Sequence, residues 1–282
     1  MSGGVAEIDY IERWRAIVER RREQMDAAYA SAGSDSGDYW ARRAKTYREA
    51  LHTGIDNDPL FARLRDAVTP ASTVLDVGAG TGRHTLALAP LVARVTAVEP
   101  SQAMLALLVE DAADQGLTNI DALQAAWSDA EVESHDIVLC SHVLYPIADL
   151  EPFVRRLAAH ARQRVFVYMR VDPLPTDMGL WADFHGEPLQ GQPTHMDLLN
   201  ALAQIDIYPD VEVVEHRFTW TFASLDEAVA HVRNSLCLSD GDQAADEKLR
   251  ALLDERLVRW PGGRLGPQVE RARSAIMSWA PD

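Results

Sequence analysis

The stretch Asp76-Val-Gly-Ala-Gly-Thr-Gly82 constrains this chain more than any other. It follows a short β-branched apolar run, Ser72 to Val77, and after it the apolar positions change period through Leu86, Leu88, Leu91 and Val92. That change of period reads as a strand, a tight loop and a helix. Gly78, Gly80 and Gly82 let the turn take positive φ and leave bare backbone for a ligand to approach. The helix that follows presents free N–H groups at its first turn. Such a loop holds a small molecule at the carboxyl end of a strand.

The flanking residues narrow the ligand. A dinucleotide fingerprint needs a third glycine for close helix packing, and that position is Arg83 here. Asp76-x-Gly78-x-Gly80-x-Gly82 instead resembles the first motif of class I S-adenosylmethionine-dependent methyltransferases. A second apolar run, Arg94-Val-Thr-Ala-Val98, ends in Glu99 and continues as Pro100-Ser-Gln-Ala-Met104, similar to the second motif of that family. The carboxylate stands roughly 20 residues past the loop, where a ribose-binding acid belongs.

The resemblance implies a Rossmann-like three-layer α/β/α sandwich with a seven-stranded, mostly parallel sheet and an antiparallel last strand. It implies S-adenosylmethionine as cofactor and S-adenosylhomocysteine as product. Asp76 would orient the loop and reach the cofactor's amino group, Gly78 and Gly80 would permit close backbone approach, and Glu99 would clamp the ribose. Ala79, Gly82, Pro100 and Met104 complete the cofactor set from these two motifs. Two rivals stand beside this reading: an NAD(P)-binding oxidoreductase on a similar fold, and a non-catalytic cofactor-binding or interaction module.

Charge and composition limit the partners. A formal net charge of −16 argues against a generic nucleic-acid or anionic-membrane surface. Only Cys140 and Cys237 are present, and the first closes an apolar run, so a disulfide scaffold is not expected and a cytoplasmic setting is. No signal peptide or transmembrane span is expected. His185 and His195 lack a third ligand at metal spacing, so no metal site is expected.

Along the chain, Ile11, Trp14, Ile17, Val18 and Met25 make an amphipathic helix from Ile8 to about Ala30. Its stripe could dock on the domain, cover the cofactor or pair two subunits. Residues 1–58 are read as a helical extension or lid, in which Trp40 and Tyr47 either close over the cofactor or anchor a helix on the sheet. By the resemblance, residues 59–224 are expected as the methyltransferase core. Just past the third strand, Trp127 could stack on the adenine with Ser128 or Asp129 accepting from its amino group, or Trp127 could be plain packing.

The loop Ser141-His-Val-Leu-Tyr145 lies where the methyl group should point. It lacks the Asn/Asp-Pro-Pro-Tyr/Phe run of amino-methylating nucleic-acid enzymes, and the chain resembles the small-molecule branch (type 11/12-like) instead. His142 is the candidate general base or cofactor contact, with Tyr145 beside it. Arg170 could hold a substrate carboxylate or pair with Asp172. An insertion near 173–195 carries Trp181 and His185 as a candidate substrate wall. Val211 to Glu215 and Phe218 to Phe222 are expected as the last two strands. Residues 225–282 are expected as a helical cap, its last helix running from Gln268 to Trp279, and the terminal helices could support a homodimer.

Overall fold

The computed structural model describes residues 8–33, 44, 48, 54–172, 177–217, 221–239, 241–268 and 271–281. Trp40 and Tyr47 lie outside these residues. The chain opens with α1 (Tyr10–Ser31), α2 (Pro59–Ala67), β1 (Thr73–Val77), α3 (Arg83–Leu88), β2 (Arg94–Val98), α4 (Gln102–Asp114) and β3 (Ile120–Leu123). It continues through β4 (His135–Ser141), α5 (Leu150–Ala159), β5 (Ala161–Arg170), α6 (Trp181–His185), α7 (His195–Gln204) and β6 (Asp210–Arg217). Helices α8 (Leu225–Ser235) and α9 (Gln243–Arg256), the small ribbon β7 (Val258–Arg259) and β8 (Leu265–Gly266), and β9 (Arg271–Trp279) complete it.

Seven strands form one sheet in the order β3-β2-β1-β4-β5-β9-β6. The first five positions pair in parallel, and β9 runs antiparallel to both of its neighbours. Strands β1 and β2 are buried at every position but the first, because helices cover both faces of a parallel sheet. One face packs Val138, Val165 and Val167 against α1, α5 and α7. The other packs Leu139, Phe166 and Tyr168 against α2 and α3.

The expected architecture holds, with one correction to its last pair of strands. Residues 271–279, expected to be helical, are the antiparallel strand β9, inserted between β5 and β6. Arg, Ala and Met favour a helix in isolation, but here Ala275, Ile276 and Met277 are covered on both faces and hydrogen-bonded on both edges. Tertiary context overrides propensity in a central strand. Of the expected strand 218–222 only 221 and 222 are described, and Phe222 bridges Leu265 in the small ribbon. Both α8 and α9 are therefore inserted between β6 and β9, within the sheet's own connectivity.

The N-terminal helix docks inside the chain. Trp14 is fully buried in the main core, and its indole N–H donates to the Ile147 carbonyl at 2.6 Å. That bond ties α1 to the segment following β4. The apolar stripe considered for subunit pairing is used within the fold, and the C-terminal helix considered with it is a central strand. A second core gathers the end of α1, Trp181, α8 and α9. Among the described residues no helix is long and apolar enough to cross a membrane.

Candidate active site

The strand order reverses between β1 and β4, and the loops at the carboxyl ends there border a crevice. Four stretches meet at this edge: the glycine loop after β1, Glu99 after β2, residues 141–145 after β4, and Arg170 at the end of β5.

The three glycines do three different jobs. Gly78, Gly80 and Gly82 have φ of 73°, 57° and 88°. A Cβ on Gly78 would lie 2.4 Å from Val143 Cγ2, so its absence lets the segment after β4 close on the loop. A Cβ on Gly82 would lie 2.8 Å from Leu108 Cγ, so this glycine admits α4. The close-packing duty expected of a glycine at the Arg83 position is thus carried by Gly82. Gly80 alone faces open space, with nothing within 4 Å of where its Cβ would stand.

Backbone N–H groups hold the loop in this shape. Those of Gly78 and Ala79 donate to the Val98 carbonyl at 2.8 and 3.1 Å. The Gly80 N–H donates to Glu99 Oε2 at 2.9 Å, and the Ser101 N–H donates to Oε1 at 2.8 Å. Each carboxylate oxygen has two acceptor directions, so Glu99 keeps further capacity on both. Burial pushes the Glu99 carboxyl upward against these two bonds, and the charge of Asp76 adds to the rise. Asp76 is 2% exposed and accepts from Thr85 Oγ at 2.7 Å, which fastens the end of β1 to α3. Burial raises its carboxyl too.

Behind the loop lies a polar cluster that the glycine pattern did not announce. Asp58 caps α2 by accepting from the Leu60 and Phe61 N–H groups at 2.9 and 3.2 Å. Its other oxygen takes Arg83 at 2.9 Å and lies 3.4 Å from His84 Nε2. Burial alone would raise Asp58, but His84 and Arg83 overcome it and hold the carboxyl far below the ordinary range. Asp58 followed by Pro59 is a readable helix start; its bond to the glycine-loop helix is not readable, because that partner is 25 residues away. Replacing Asp58 with Ala is expected to cost about 3 kcal/mol, from a lost cap and a broken buried pair. The wild-type contribution is present above the ordinary carboxylate value of 3.8 and is lost as the pH falls toward the depressed one. Denaturant titrations of both proteins at neutral and acid pH check this, the gap narrowing in acid.

The segment after β4 is conformationally unusual. His142 has φ of 60°, a left-handed backbone that non-glycine residues seldom adopt. Its N–H donates to the Tyr168 carbonyl at 2.9 Å, and its Nδ1 lies 3.2 Å from Tyr145 Oη. Tyr145 Oη accepts from the Arg170 N–H at 2.8 Å. The three candidates His142, Tyr145 and Arg170 are therefore joined. Burial, and then the Arg170 cation, push the imidazole well below its usual value, so it is neutral at pH 7.

Other sequence-based candidates sit elsewhere. Trp127 is 5% exposed, and its indole N–H donates to the Phe153 carbonyl at 3.3 Å. Arg156 stacks on its ring at 4.8 Å and His160 meets its edge, so the ring belongs to the α5 packing and is not offered to an adenine. Trp127→Phe is expected to lower stability by about 1–3 kcal/mol while leaving S-adenosylhomocysteine affinity unchanged in calorimetry. Ser128 and Asp129 are exposed on a turn. Pro100 is exposed, whereas Met104 is buried with its N–H facing the Ser101 cap. Trp181 and His185 stack on each other at 4.2 Å, and His185 Nε2 donates to the Leu236 carbonyl at 2.8 Å. They line a cavity of about 390 Å³ against Arg20, Gln24 and Ala28 of α1, which shares no lining residue with the glycine loop. The residues expected as a substrate wall thus stand between α1, α6 and α8, away from the glycine loop.

Residues 74–164 match a family model described as a methyltransferase domain. That stretch runs from β1 into β5 and is what the chain shares with methyltransferase domains. The sheet is similar to those of several solved structures. The YcgJ protein of Bacillus subtilis superimposes with a TM-score of 0.50 at 16% identity, covering 77% of this chain and 95% of that one. The BH2331 protein of Bacillus halodurans C-125 gives 0.51 at 15% identity, covering 77% and 96%. Magnesium protoporphyrin IX methyltransferase from Synechocystis PCC 6803, solved with bound S-adenosylhomocysteine, gives 0.50 at 14% identity over 83% and 85%. At these identities the likeness is one of fold. No curated protein matches the sequence.

Proposed function

We propose that this methyltransferase methylates a small molecule, holding S-adenosylmethionine over the carboxyl ends of β1 and β2 and the acceptor over those of β4 and β5. One observation carries the reading: the only loop glycine that opens on empty space, Gly80, donates its N–H to the buried carboxylate of Glu99. A ligand can reach backbone and carboxylate together there and nowhere else on the loop. When bound, the cofactor supplies a methyl group already activated on a sulfonium and leaves as the neutral thioether. Glu99 would take the ribose hydroxyls on its unused acceptor directions. Asp76 acts as a positioning residue, holding α3 to β1 so that the Gly80 backbone keeps its shape. The sheet order supports this reading over the oxidoreductase, since a dinucleotide domain has no antiparallel strand between its fifth and sixth positions.

His142 is the proton acceptor in this reading, and Tyr145 fixes its ring. The groups that bear on the imidazole are the Arg170 cation, His84 and His216, opposed by Asp58. A base already neutral at its ordinary value of 6.5 gives a rate that stays flat through that pH on the acid side. The kcat/KM profile is expected to fall only at lower pH, and a midpoint near or above 6.5 would remove His142 from this role.

Small-molecule acceptors are favoured by the net charge of −16 and by the Ser-His-Val-Leu-Tyr run after β4, which has no paired prolines to stack an extruded base. The test is incubation with S-adenosylmethionine labelled in its methyl group and a cell extract separated into small-molecule, protein and nucleic-acid fractions. Label in the small-molecule fraction is expected. Label confined to either polymer fraction would contradict the reading.

A further inference from the structure

The wall of the crevice built by β4, β5, β6 and β9 carries a cation, Arg170, that pairs with no carboxylate among the described residues. Other arginines of the same strand and its neighbour are matched to carboxylates. On the same strand Arg162 meets Asp136 at 3.0 Å and Arg164 meets Asp210 at 3.1 Å. Next to it in the sheet, Arg273 binds Asp172 through two guanidinium nitrogens at 2.7 and 3.1 Å, and its N–H also donates to Asp172 at 3.1 Å. Asp172 was the obvious partner for Arg170, and it is taken. Among the described residues no carboxylate lies within ion-pair distance of the Arg170 guanidinium.

The surroundings of Arg170 are aromatic. Strand periodicity puts it on the same face as Tyr168. The Tyr168 ring centroid lies 4.9 Å from that of His142 and 6.4 Å from that of His216. His142 and Tyr145 are within 14° of parallel at 6.2 Å. The Arg170 N–H is fixed on Tyr145, so the start of its side chain is held at the edge of this group of rings. In a chain with a net charge of −16, an arginine with no carboxylate partner among the described residues, anchored beside Tyr145 and His142, is placed for an external anion.

We propose that the methyl acceptor is a planar anion, an arene bearing a carboxylate or a phosphate, whose negative group pairs with Arg170 while its ring lies against His142 and Tyr145, the half-buried rings of this group. The inference rests on the methyltransferase reading above. The planar fork of arginine suits both anions, and the ring faces supply the contact area that a small acceptor needs.

The experiment is calorimetry of the protein saturated with S-adenosylhomocysteine, titrated with 4-hydroxybenzoate, phenyl phosphate and the neutral 4-hydroxybenzamide. At least one anion is expected to bind saturably and at least about tenfold tighter than the amide, a charge-assisted pair being what the amide lacks. The stronger of the two anions tells carboxylate from phosphate. Arg170→Met is expected to abolish the preference while leaving S-adenosylhomocysteine affinity intact, and Arg170→Lys to restore part of it. Equal binding of all three probes, binding of none, or a preference that survives in Arg170→Met would overturn the inference and leave the methyltransferase reading standing. Failure of S-adenosylhomocysteine itself to bind would overturn both.

Discussion

Glu99→Ala is expected to weaken S-adenosylhomocysteine binding on the order of a hundred- to a thousand-fold, the loss of two hydrogen bonds from ribose hydroxyls to a carboxylate. The same substitution should change stability by no more than about 1 kcal/mol, because two opposing effects nearly cancel. Removing the carboxylate frees the Gly80 and Ser101 N–H groups to water in the crevice, which costs stability. It also removes a buried charge. A carboxyl raised by burial stabilises the fold at low pH and loses that contribution as the pH rises through its value, so ionised Glu99 is a burden at neutral pH. Calorimetry and thermal unfolding of the two proteins give both numbers. A large fall in melting temperature would make Glu99 a structural residue first.

Gly78→Ala is expected to act the other way, on stability before binding. The new methyl would meet Val143 Cγ2 at 2.4 Å and Cγ1 at 3.0 Å, and alanine would have to adopt φ of 73°. Overpacking and left-handed strain together cost about 2–5 kcal/mol. Val143 follows His142, so relief of the clash displaces the imidazole, and methyl transfer should fall further than cofactor affinity. Gly80→Ala is the control, with strain at φ of 57° but no neighbour within 4 Å. It should lose only about 1–2 kcal/mol of stability while its methyl obstructs the cofactor. Denaturant midpoints set against S-adenosylhomocysteine affinity separate the two glycines, and equal effects at both would contradict the division of labour.

The glycine loop and Glu99 were legible because their chemistry is local. A strand, a positive-φ turn and an acid one strand later are written within a few turns of chain, and the partners that matter are backbone groups common to every sequence. Asp58 before Pro59 is legible, on the same local grounds, as a helix start. Its ion pair with Arg83 is not, since nothing near Asp58 points to the loop. Trp127 shows the opposite failure. Its position past β3 invites an adenine contact, but the indole is claimed by Phe153 and Arg156 of α5, whose sequence gives no sign of it. The segment 271–279 misled because its apolar run fits either period, and only its place between β5 and β6 makes it a strand. Arg170 could be read as a substrate group or as half of an ion pair with Asp172, and nothing near it in sequence tells that Asp172 is taken by Arg273.

The most direct measurement is titration calorimetry of the wild-type protein with S-adenosylhomocysteine, with NAD as the parallel ligand. Saturable binding of the thioether, and none of NAD, is the expected result, because Gly80 and the Glu99 carboxylate meet at the open point of a loop whose sheet is not that of a dinucleotide domain. Binding of NAD alone, or of neither ligand, would contradict the assignment of this crevice.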